Sequence, residues 1–367
     1  MSVTEQPTSL DPAPLQSAIA DLHRAGVPGV CADVRRAGRT WTGAAGVADR
    51  DTGRPMTTDL RHRVGSITKT FTAAAVLRQV ERGAVGLDDP IGRYLPRLVP
   101  GERGAAVTVR MLLNHTSGIP DYLPFAFPSI RTLSPESLDE NRFRRFHPTE
   151  LIGMGLAAPA GTPGVTPGAY SNSGYLLLGE LLTALTGASP AACIAEVAAR
   201  AGLTHTALPD GPAIDGPYPA MYEALYGLID PPRDYSVYDA SWIGTGAGMV
   251  STVADLTRFF AALLDGAVVD RSSLQEMQRT VPVTSFEGKQ IEYGLGLHRH
   301  VLPGCGTLWG HDGTVWGALA MAWISDDGAR QLSFAVNLVR WASAGPDHPI
   351  DAALGRLHQV ALHEDAP

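Results

Sequence analysis

Lysine is almost missing from this 367-residue chain. Only Lys69 and Lys289 occur, against 29 basic residues in all, so arginine carries nearly all the positive charge. Arginine cannot serve as a proton acceptor, because its guanidinium stays charged in proteins. Cysteine is scarce too: Cys31, Cys193 and Cys305 are an odd, scattered set without metal-ligand spacing, which reads as buried thiols rather than a disulfide framework. Acidic residues prevail, giving a net charge of −8 and a pI near 5.7, and no cluster of Lys/Arg interleaved with aromatics occurs. Both features argue against a nucleic-acid partner. No apolar run approaches the length needed to span a membrane. Residues 1–14 lack a basic n-region and an apolar h-region, so the expected location is cytoplasmic. Trimming of an N-terminal leader would leave the same pattern.

What is present fits a globular protein with a large core: 44% hydrophobic and 18% charged residues. Residues 14–25 carry Leu15, Ile19 and Leu22 on one helical face. Residues 30–34 and 39–47 read as strands joined by a hairpin at Arg36-Ala37-Gly38. A helix is expected from Ser66 to about Arg82, ended by Gly83. Residues 88–239 are rich in Pro and Gly, with short helical pieces at 109–113, 148–155 and 175–185. Another helix follows at 253–264. Strand patterns return at 291–300, 308–309, 319–324 and 332–339, and a last helix covers 350–362. The expected fold class is α/β (α+β): an antiparallel sheet flanked by N- and C-terminal helices, with an inserted, mainly helical lobe. The expected division is a flexible N-terminus over 1–12, a sheet lobe from 13–87 and 240–365, and the helical lobe 88–239, with the active site between lobes.

The scarce lysine stands three residues after a serine, in Ser66-Ile67-Thr68-Lys69. One helical turn separates them, so both face the same way. A desolvated lysine can lose its proton and activate a hydroxyl. Alone the spacing is weak, since a chain of this length is expected to hold about one such match by chance. Further on, Tyr170-Ser171-Asn172 puts a phenol and an amide two residues apart. Tyr170 is suited to shuttle protons and Asn172 to orient the lysine or the substrate carbonyl. Trp309-Gly310-His311-Asp312-Gly313-Thr314 then precedes a strand, where Gly313 permits close backbone approach. The N–H groups of Ser66 and Thr314 are the expected oxyanion hole.

The ordered set Ser66-x-x-Lys69, Tyr170-Ser171-Asn172 and His311-Asp312-Gly313 resembles the penicillin-recognising serine enzymes. Within them it is most similar to the branch of D-alanyl-D-alanine carboxypeptidases, class C β-lactamases and serine esterases. Connecting segments share the likeness: Leu112-Leu113-Asn114-His115-Thr116-Ser117-Gly118, Ser241-Trp242 and Tyr293-Gly294-Leu295-Gly296-Leu297. The resemblance implies a class C β-lactamase-like fold and an acyl-enzyme on Ser66. It implies catalytic roles for Ser66, Lys69, Tyr170, Asn172 and His311, with Tyr122, Phe127, Trp242 and Trp316 as walls of the cleft. It requires neither metal nor organic cofactor.

Two positions depart from the carboxypeptidase pattern. Asp312 stands where that branch has Thr or Ser, and His298 stands where actinomycete carboxypeptidases have an arginine that grips the substrate carboxylate. At about 4 Å and an effective dielectric near 20, like charges repel by roughly 4 kcal/mol, enough to reject a free carboxylate. Two alternatives stay open: Asp312 turned away in a structural hydrogen bond, and His298 as a satisfied core or surface histidine. Arg299 is a poor substitute, since adjacent strand residues face opposite ways.

The leading reading is a cytoplasmic serine esterase or transacylase, of the kind found in secondary-metabolite biosynthesis. It takes a small ester, amide or β-lactam as acyl donor and water or an amine as acceptor. The alternatives are a D-alanyl-D-alanine carboxypeptidase or β-lactamase with protonated His298 as the anchor, and a binding protein that kept the fold without turnover.

Overall fold

The computed structural model describes residues 10–341 and 348–363. Nine strands form the main sheet: β1 (Gly29–Arg36), β2 (Arg39–Gly46), β3 (Gly168–Ala169), β4 (Val281–Thr284), β5 (Gln290–Tyr293), β6 (His298–Leu302), β7 (Gly306–Val315), β8 (Ala318–Ser325) and β9 (Arg330–Val336). Their order is β2-β1-β9-β8-β7-β6-β5-β4-β3. The two ends of the chain therefore meet, with β1 antiparallel to β9 from Val30↔Val336 to Arg36↔Arg330. Every other neighbouring pair is antiparallel except β3 and β4, which are parallel.

The central strands are buried on both faces, because helices cover both. Val30, Ala32 and Val34 pack with Leu332, Phe334 and Val336 beneath α1 (Pro12–Arg24) and the C-terminal helix Pro349–Leu362. Leu15, Ile19, Leu22 and Leu357 supply the helical side of that core. On the opposite face Cys31, Ala320, Ala322 and Ala335 join a larger cluster. That cluster includes Phe71 of α2 (Thr68–Glu81), Leu177 of α3 (Asn172–Thr186) and Phe259 of α4 (Val253–Leu264). The fold is the mixed α/β arrangement anticipated, an antiparallel sheet with terminal helices.

Several details differ from expectation. Residues 291–300 are two strands, not one, because β5 ends at Tyr293 and β6 begins at His298 as its hairpin partner. Leu295 and Leu297 in the intervening turn are buried, which kept the apolar pattern running through it. Ser66 lies in a 3-10 turn, Gly65–Ile67, that leads into α2. The flexible segment expected over 1–12 is not seen in its last residues: Leu10 is buried and Asp11 caps α1 by accepting from the Ala13 N–H at 3.0 Å. Residues 1–9, and the 364–365 end of the expected sheet lobe, lie outside the described residues.

The segment 88–239 is not purely helical. It supplies β3 to the sheet edge, and its Tyr222–Glu223 strand pairs with Leu338–Val339. Among the described residues no single helix is long and apolar enough to cross a membrane. Cys31, Cys193 and Cys305 are all buried.

Candidate active site

Ser66 and Lys69 sit where α2 begins, beneath the sheet edge. The Lys69 Nζ donates to Ser66 Oγ at 3.1 Å, to Asn172 Oδ1 at 2.7 Å and to the Gly246 carbonyl at 2.9 Å. Three acceptors match the three donors of an ammonium, or serve a neutral amine whose lone pair turns to Ser66. The side chain has no exposed surface. Burial draws its pKa down from 10.5 to about 7, although the carboxylates of Asp121 and Asp312 pull it back up. Near neutral pH a large fraction of Lys69 is therefore an amine able to take the Ser66 proton.

Tyr170 follows β3, and its N–H donates to the Thr284 carbonyl of β4 at 3.0 Å. Its phenol lies beside Ser66, and its ring lies 4.8 Å from Lys69 Nζ. Burial pushes the phenol well above its usual pKa of 10, further raised by the charges of Asp312 and Asp121. The phenol therefore favours its protonated form.

His115 backs this ring at a centroid distance of 4.1 Å, while its Nδ1 accepts from the Ser171 N–H at 3.1 Å. Asn172 opens α3, and its backbone N–H donates to Asp121 Oδ2. Asp121 Oδ1 accepts from the Leu123 N–H at 2.7 Å. Asp121 thus anchors the amide that holds Lys69.

Sequence reasoning missed Asp121. An aspartate after Gly118-Ile119-Pro120 looks like an ordinary turn residue. Gly246 was missed as well, since a backbone carbonyl leaves no residue-type signal.

β7 runs past the end of β6, whose pairing stops at His298↔Gly310. Residues 311–315 thus keep one edge free of β6, and that edge passes the Gly65–Ile67 turn. Two glycines permit the approach. A Cβ on Gly313 would lie 1.9 Å from the Val64 carbonyl oxygen and 2.8 Å from the Ser66 nitrogen. A Cβ on Gly65, which has φ +53°, would lie 2.6 Å from the Thr314 nitrogen. The Ser66 and Thr314 amides are thereby brought side by side, as an oxyanion pair requires.

His311 does not fit the catalytic role expected of it. Its Nε2 is 2.8 Å from the Tyr293 hydroxyl and its Nδ1 meets the Asp312 carbonyl. Burial draws its pKa down to about 4, so the ring is neutral, with Nδ1 the donor and Nε2 the acceptor. With both nitrogens engaged, it supports the strand and Tyr293.

Asp312 is 47% exposed, with Oδ1 3.6 Å from His298 Nδ1 and 3.9 Å from His311 Nδ1. Burial works against its charge, but the neighbouring His298 and His311 imidazoles outweigh it, holding the carboxyl below its usual range. Its charge acts on both Lys69 and Tyr170. His298 is nearly buried, at 8% exposure, and faces this carboxylate.

The four aromatic residues expected to wall the cleft are core instead. Tyr122 and Phe127 have no exposed surface, and Trp242 and Trp316 expose 4% and 2%. Trp242 stacks on Trp316 at 4.5 Å, and Phe127 meets both rings edge-on at 5.2 and 5.1 Å. The Tyr122 hydroxyl donates to the Trp242 carbonyl. Large rings gain more from mutual burial than from lining a wet surface.

A buried lysine of lowered pKa bonded to a serine, a phenol beside them and paired backbone amides point to one class of protein: serine hydrolases of the beta-lactamase fold. The chain belongs to the beta-lactamase family, which it matches over residues 15–357. It is 33% identical to a D-stereospecific amidohydrolase from Streptomyces sp., with a TM-score of 0.82 over 96% of this chain and 98% of that one. It is 29% identical over 289 residues to penicillin-binding protein 4* of Bacillus subtilis, covering 73% of this chain and 58% of that protein. A D-aminopeptidase of Cereibacter sphaeroides is 28% identical over 354 residues, 95% of this chain and 62% of its own length. The chain thus spans less than two thirds of the length of these two curated relatives.

Proposed function

We propose that this chain is an acyl-enzyme hydrolase of amides and esters whose leaving group carries no carboxylate, with D-amino acid amides as the preferred substrate class. Lys69 accepts the Ser66 proton as Ser66 Oγ bonds to the carbonyl carbon. The carbonyl electron pair moves onto oxygen, held by the Ser66 and Thr314 amides. As the C–N or C–O bond breaks, Tyr170 gives its proton to the departing nitrogen or oxygen and regains one from protonated Lys69. Water then adds to the acyl-enzyme by the reverse route and releases the acid. An amine in place of water gives transacylation.

The observation that carries the substrate reading is the half-exposed Asp312 carboxylate beside the site. A carboxypeptidase removes a C-terminal residue, so its leaving group bears a carboxylate. Asp312 repels that charge and tolerates ammonia, an alcohol or an amine. The names of the amidohydrolase and D-aminopeptidase relatives support the same choice. The alternative, a carboxypeptidase or β-lactamase, is supported by His298, which supplies a positive charge next to Asp312 when protonated.

The test measures ammonia released from D- and L-phenylalanine amide, and D-alanine released from D-alanyl-D-alanine. The expected result is turnover of the D-amide, little of the dipeptide, and loss of about a thousandfold or more in Ser66→Ala. Dipeptide cleavage as efficient as amide cleavage, or activity surviving in Ser66→Ala, would sink the proposal.

A further inference from the structure

Phe286 is a large apolar side chain left 55% exposed at the tip of the β4–β5 hairpin. The hairpin is closed by the Ser285 N–H donating to the Lys289 carbonyl at 2.8 Å, and the Ser285 hydroxyl donates to Glu287 at 2.9 Å. It is also tied to the Tyr170 segment, through the β3–β4 pairing Ala169↔Thr284 and the bond from the Tyr170 N–H to the Thr284 carbonyl. Phe286, two residues beyond Thr284, is thereby held against Tyr170. The two rings meet edge-to-face with centroids 5.0 Å apart.

Other exposed rings have different partners. Phe125 lies under Arg131 and Phe143 under Arg142. Phe286 spends its one closely packed side on the proton donor and leaves the rest to solvent. Two other rings that face Tyr170, His115 at 4.1 Å and Tyr293 at 5.8 Å, are both buried, so nothing enters from their side.

Chemistry fixes which part of a substrate comes here. The atom protonated by Tyr170 is the leaving nitrogen or oxygen, which must come within hydrogen-bonding reach of the phenol. Whatever is attached to that atom continues outward past Tyr170. The sheet order puts β6, β5 and β4 in succession on that side of β7, with His298 and Asp312 at the near end and Phe286 at the far end.

We propose that Phe286 is a specificity-determining residue. With the outer edge of Tyr170 it forms an apolar leaving-group subsite that takes the ring of an arylamide or aryl ester. The subsite rests on the acyl-enzyme reading above.

The experiment compares kcat/KM for D-phenylalanine 4-nitroanilide and D-phenylalanine amide, which share an acyl group, in the wild type, Phe286→Ala and Phe286→Tyr. Loss of one apolar contact in a pocket is worth about tenfold or more in discrimination. Phe286→Ala is expected to lower the anilide value about tenfold more than the amide value, while Phe286→Tyr keeps the wild-type ratio. Equal losses on both substrates would show that Phe286 only props Tyr170, and no loss on either would show that it touches nothing; each overturns the subsite alone. Failure of the wild type on both substrates would overturn the underlying reading and the subsite with it.

Discussion

At the scale of the residue, Lys69 is buried among groups that pull its pKa in opposite directions. Withdrawal from water favours the amine, while Asp121 and Asp312 favour the ammonium, and the balance falls at about 7. Acylation requires the neutral form. kcat/KM is therefore expected to fall tenfold per pH unit below about 7 and to level off above it, read from initial rates across pH 5 to 9.

The groups facing Lys69 are Ser66, Asn172, Tyr170, Tyr175, His115 and His311, together with the two carboxylates. Of these, Asp121 raises the lysine pKa without needing to touch substrate. In Asp121→Asn the acid limb is expected to move to lower pH, because the charge that favoured the ammonium is gone. A limb that stays in place while the rate drops would assign Asp121 a purely structural part in seating Asn172.

At the scale of the element, the site depends on one strand edge lying flat against one turn. β7 passes Gly65–Ile67 with no side chain between them, which is why Gly313 tolerates no Cβ within 1.9 Å of the Val64 carbonyl. Gly313→Ala must push β7 away from Ser66 and spread the two oxyanion amides. Loss of one oxyanion donor costs about a hundredfold to a thousandfold in kcat. That loss is the expected outcome, with ester binding weakened far less, read as the split between kcat and KM. A kcat within about threefold of the wild type would mean that the Thr314 amide is not a donor.

Elements also show where sequence patterns stop being informative. The helices 109–113 and 253–264 match the structure residue for residue, because each has a Thr cap before an apolar face. The break between β5 and β6 was hidden by Leu295 and Leu297, which are buried under a turn rather than in a strand.

At the scale of the whole molecule, the sheet separates a supporting core from a working one. The face under the terminal helices holds Leu357, which is fully buried, and lies across the sheet from Lys69. Leu357→Ala is expected to cost about 2–5 kcal/mol. The urea midpoint should fall accordingly, with the pH profile of turnover unmoved. A shifted acid limb in that variant would mean that the two cores are not independent.

The sequence by itself determined the strand-bracketed α/β architecture, the serine–lysine pair and the motif order, because these rest on local spacing and on residue types with few substitutes. A lysine beside a serine, in a chain whose only other lysine is Lys289, was a legible chemical choice. The tertiary structure alone decided what each group does. It raised the pKa of Tyr170 and lowered that of Lys69, because desolvation depends on neighbours far away in the chain. It moved Tyr122, Phe127, Trp242 and Trp316 into the core and left Phe286 outside. It brought in Asp121 and the Gly246 carbonyl, whose parts arise only when α2, α3 and the loops before α3 and α4 are packed around one nitrogen.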